Sequence, residues 1–98
     1  NMATVKKVLV NVKGTAATSY LVSSFALTGS GGNISTLVEE HDPQLRDIAM
    51  GILMNLSIDD LGQAEIKNRV KVMLVSAFNN ALGGDYIENI FFTEFAVQ

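Results

Sequence analysis

His41 is the chain's only histidine, and it stands among Glu39, Glu40 and Asp42. An imidazole beside carboxylates begins a metal site, but a structural site takes about four ligands, and an exposed histidine at a helix junction accounts for this one more simply. Asp59 and Asp60 have the chemistry of a general acid and base. Adjacent residues on a helix point apart, so first-turn complementation of the helix dipole explains the pair better. Gly29-Ser30-Gly31-Gly32 lies where glycine-rich loops hold phosphate, yet it lacks both the GK[ST] of a P-loop and the full G-x-G-x-x-G spacing. It reads as a flexible connection. No serine lies in a G-x-S-x-G motif, which leaves the histidine without a nucleophile to activate. Asn33-Ile34-Ser35 and Asn55-Leu56-Ser57 match the glycosylation pattern, but a helix cap and a helix end explain both. No catalytic residue, metal ligand set or cofactor is expected.

Composition narrows the alternatives. Domains run to about 100–150 residues, so residues 1–98 are expected to form a single domain. Hydrophobic residues make up 48% of the chain and charged residues 17%, a balance that fills a core and argues against disorder. Seven basic against ten acidic residues leave a formal charge of −3, with no positive field to gather the phosphates of nucleic acid or anionic lipid. The absence of cysteine removes disulfides, thiolate-bound metals and thiol catalysis, and is compatible with reducing and oxidising compartments alike. The longest apolar runs, Ile48–Leu56 and Val72–Phe78, fall short of the roughly 18–20 residues of a membrane helix. With no basic and apolar leader pattern at the start, Asn1 and Met2 are expected to be the edge of an excised fragment.

Periodicity supplies the elements. Val5, Val8, Leu9, Val10 and Val12, interleaved with Lys6, Lys7 and Asn11, predict a strand. The small polar segment Lys13–Thr18 predicts a hairpin loop with Gly14 at positive φ. Ser19–Thr28 then forms a second strand, with Leu21, Phe25 and Leu27 on one face and Tyr20, Val22 and Ala26 on the other. Both faces are partly apolar, so cover for each is expected. Asn33 caps a short helix over Ile34–Glu40. Asp42-Pro43 opens a helix over Pro43–Leu56, with Leu45, Ile48, Ala49, Ile52, Leu53 and Leu56 at helical steps. Ser57 and Asp59-Asp60 start another, broken at Gly62, whose long part Gln63–Leu82 carries the stripe Ile66, Val70, Met73, Ala77 and Ala81, widened by Leu74 and Phe78. Gly83-Gly84 stops it. Tyr86–Gln98 closes as a strand with Ile87, Phe91, Phe95 and Val97 on one face and Ile90, Phe92 and Ala96 on the other. Such a strand must be paired inside a sheet. The order β-β-α-α-α-β predicts an α+β fold with helices on one face of a mostly antiparallel sheet.

More apolar side chains are present than one small core can hold. Val72 and Val75 lie off the main stripe of the long helix, and Met50 and Met54 add to the middle one. These four are the candidate protein-interface residues, and self-association through the long helix and an exposed sheet edge is expected.

Val10-Asn11-Val12, Tyr20-Leu21, Leu45-Arg46-Asp47-Ile48 with Ile52-Leu53, Ser57 with Asp60-Leu61, Leu82-Gly83 and the closing Ile90-Phe91-Phe92-Thr93-Glu94-Phe95-Ala96-Val97-Gln98 follow one another over residues 8–98. In order and spacing they resemble the periplasmic domain of the flagellar basal-body-associated FliL family. The resemblance implies an SPFH-like (stomatin/prohibitin) fold and a single-pass inner-membrane protein whose anchor precedes Asn1. It implies a location on the periplasmic side of the inner membrane in the flagellar basal body, and a non-catalytic role. The implied partners are further copies of the chain and the flagellar stator, through the periplasmic plug or linker of the stator's plug-bearing subunit. A membrane-anchored scaffold organising a non-flagellar complex is the alternative.

Overall fold

In the computed structural model, which describes residues 2–98, the valine-rich opening forms β1 (Met2–Asn11) and pairs antiparallel with β2 (Tyr20–Thr28). The closing strand, β3 (Asn89–Val97), pairs antiparallel with the other side of β2. The three-stranded sheet therefore has the order β1-β2-β3. β3 is paired on one side only, where the sequence led us to expect it inside the sheet.

Val5 and Val8 are both buried although their odd spacing puts them on opposite faces of a regular pleat. A bulge between them reconciles the two. Lys7 takes a φ of 59°, and the extra residue returns Val8, Val10 and Val12 to the core side. A second bulge falls at Thr93, since Ser24 opposes Glu94 and Phe25 opposes Phe92. It corrects the face assignment made from simple alternation. Ile90, Phe92, Phe95 and Val97 lie opposite Leu27, Phe25, Ser23 and Leu21 on the helix side, while Phe91 lies opposite Ala26 on the outer side.

Four helices cover the inner face: α1 (Ile34–Glu40), α2 (Asp42–Leu53), α3 (Ile58–Leu61) and α4 (Ile66–Leu82). The α+β order is the one expected, with the third helix broken after α3. α2 packs on β1, α4 on β3, and the two helices on each other. At the centre the Phe25 ring lies 6.0 Å from that of Phe78 and 6.2 Å from that of Phe92. The core row of α4 is Ile66, Val70, Leu74 and Phe78, so Leu74 and Phe78 form its middle and Met73 an exposed flank.

Local signals hold with small shifts. His41, not Asp42, is the N-cap of α2, and Asn33 caps α1 without a side-chain bond. α2 stops at Leu53, short of Leu56, because the Leu56 carbonyl accepts from Lys13 N–H at 3.0 Å and holds that residue beside the end of β1. Gly83 ends α4 with a φ of 82°, as the glycine pair predicts. Gly29 is a close approach more than a flexible breaker, since a Cβ there would collide with the Tyr86 carbonyl.

Candidate interaction surface

Each residue weighed for catalysis is held by the fold itself. His41 Nδ1 donates to the Leu37 carbonyl at 2.8 Å, which ties the imidazole to the end of α1. Ser57 Oγ accepts from Asp60 N–H at 3.1 Å while Asp60 Oδ2 accepts from Ser57 N–H at 3.0 Å. This reciprocal cap holds the Asp60 carboxyl below its ordinary pKa, chiefly through the Ser57 backbone bond. The cavity beside Gly31 and Gly32, about 270 Å³, is lined by Ser30, Asn33, Ile34, Leu37 and Tyr86, without a cationic side chain among them. Among the described residues, no group of three or more acidic, histidine or cysteine side chains is placed to hold a metal ion.

The four candidate interface residues do not form one patch. Val72 is 70% exposed on the outer side of α4, and Met54 and Met50 are 55% and 40% exposed on α2. Val75 is partly buried and packs against the core cluster. Val72 and Val75 nevertheless meet along a groove of about 800 Å³ that runs beside α4. Ser76, Asn79 and Asn80 continue it, and Gly84, Asp85, Glu88 and Asn89 close its far side. The groove thus joins the outer row of α4 to the approach to β3.

Asn79 shapes that junction. Its Nδ2 donates to the Ile87 carbonyl and its Oδ1 accepts from the Ile87 N–H, both at 2.8 Å, so one side-chain amide satisfies both backbone groups just before β3. Alongside, the Lys67 and Lys71 ammoniums each stand 5.8 Å from a ring centroid, of Phe95 and Phe91 respectively. The paired four-residue spacings of the lysines and phenylalanines were visible in sequence. The Asn79 bond was not, because its partner lies across a turn.

On the outer side of the sheet, Lys7, Ser24 and Glu94 link all three strands. Lys7 N–H donates to Ser24 Oγ at 2.9 Å, Lys7 Nζ to Glu94 Oε1 at 2.8 Å, and Ser24 Oγ to the same Oε1 at 3.3 Å. The Lys7 bond, followed by lesser contributions, holds the Glu94 carboxyl below its ordinary pKa. Both bulges face Ser24, so the network secures the two irregular strands where their ladders break. Exposed Leu9 and Phe91 flank it.

Sequence comparison places this architecture. Residues 2–98 match the family described as flagellar basal body-associated protein FliL. The chain belongs to that family. A curated relative, the flagellar protein FliL of Aquifex aeolicus (strain VF5), is 24% identical over 90 residues, covering 92% of this chain and 56% of its own length. The chain thus spans little more than half of that relative. Membership makes this a flagellar basal-body-associated protein, in line with the resemblance carried by its closing strand. None of the helices among the described residues is long and apolar enough to cross a membrane.

Proposed function

We propose that this chain is a non-catalytic, homo-oligomeric scaffold of the flagellar motor on the periplasmic side of the inner membrane, anchored by a helix outside the described residues and associated with the stator. The observation that carries the reading is Val72, exposed at the lip of the α4 groove in a chain of a flagellar basal-body family. Solvated apolar surface of this kind gains by being covered, at roughly 25 cal/mol per Å² buried. Copies arranged around the stator would hold its periplasmic plug or linker away from the blocking position. The shift toward the conducting state then equals the scaffold's difference in affinity for the two stator states.

Capture of the stator's periplasmic plug and linker segment by the immobilised chain tests this. Saturable capture that is lost in Val72→Asp supports the reading. Absence of capture at every concentration, together with unimpaired swimming after deletion of the gene, removes the flagellar role and leaves the non-flagellar scaffold.

A further inference from the structure

A three-stranded sheet with two edge strands offers two rows of backbone groups to any extended chain that comes near. Here those rows are interrupted from several directions. Ahead of β3, Asn79 occupies both the N–H and the carbonyl of Ile87, the same two bonds an added strand would make. Asn89 Oδ1 accepts from Ile90 N–H at 2.8 Å. The bulge at Thr93 then breaks the straight run of the strand.

Lys71 adds a steric and electrostatic bar. α4 lies on the inner side of the sheet and Phe91 on the outer side, and β3 is the edge between them. To stand 5.8 Å from the Phe91 ring, the Lys71 stem must pass along that edge, while Lys67 covers Phe95 one turn earlier. On β1, Arg46 Nη1 donates to the Lys6 carbonyl at 2.7 Å inside the other bulge, and Lys13 N–H is taken by the Leu56 carbonyl at 3.0 Å beyond the strand's end.

We propose that these devices, with Lys67 and Lys71 as the principal guards, close both edges of the sheet to strand addition, so that this chain meets other proteins through side-chain surfaces and not by extending its sheet. The closure holds whichever partner the chain meets. It also revises the expectation that an exposed sheet edge forms the interface, because the edges are open in topology and shut in chemistry.

The test compares the parent chain with Lys67→Ala/Lys71→Ala by sedimentation velocity, thioflavin fluorescence and amide I infrared spectra over a concentration series. We expect the parent to show no intermolecular-strand band. The folded double variant should show a several-fold rise in thioflavin signal and an intermolecular-strand band that grows with concentration. Lys67→Gln/Lys71→Gln, which keeps helix propensity and stem length, gives the same readout should the alanines unfold the domain. Strand-type association in the parent, or its absence from a folded lysine-free variant, would overturn the proposal.

Discussion

At the residue scale, single side chains do structural work that their types alone do not announce. Asn79 sits near the end of α4, where an asparagine reads as an ordinary solvent-facing residue, yet it carries the turn into β3. Asn79→Ala removes two hydrogen bonds and leaves the Ile87 groups partly buried, and should cost about 2 kcal/mol, read as a lower urea midpoint at unchanged slope. Glu94 makes a prediction about acid. Its folded-state pKa lies below the ordinary 4.5, so its stabilising effect is present above that value and is lost as pH falls through the lower, folded-state pKa. Thermal melts should therefore weaken as the pH drops below 4.5, and Glu94→Gln should flatten that part of the profile while leaving Asp60 to contribute the remainder. An equal slope in the variant would show that the Lys7 pairing contributes nothing.

At the element scale, the sequence was most readable where one periodicity ran unbroken. The helix stripes, the glycine stop at Gly83 and the Ser57 cap were all legible, because each depends on neighbours within one or two turns. The bulges were not. Val5 and Val8 conflict with a period of two, and only the register against Phe25 and Ser23 shows that an extra residue resolves the conflict. Thr93 gives no local signal at all, so Phe91 and Phe92 exchanged faces relative to the expectation. The same locality limits the interface. Val72 and Val75 look equivalent on a helical wheel, but only the fold shows Val75 leaning into the core. Val72→Asp should leave stability within about 0.5 kcal/mol of the parent, as exposed substitutions do, while reducing oligomer mass in sedimentation. Val75→Asp should instead lower the melting temperature. If both variants kept the parent's mass, the α4 groove would not be the contact.

At the scale of the whole molecule, the helix layer closes one face of the sheet and leaves the other with Leu9 and Phe91 uncovered around the Lys7–Ser24–Glu94 network. The central strand is buried on both faces, but on the outer side its cover comes from neighbouring strands. Apolar surface thus remains on the outer sheet and along α4, consistent with a chain that works in company. Contacts too weak for dilute solution gain from the high local concentration of anchored copies, so the decisive measurement belongs in cells. A photocrosslinking residue in place of Val72, in the full-length protein of motile cells, tests the account directly. It predicts adducts between copies of the chain and with the stator, well above those from the exposed polar position Gln44. Motile cells yielding no more adduct at position 72 than at Gln44 would contradict it.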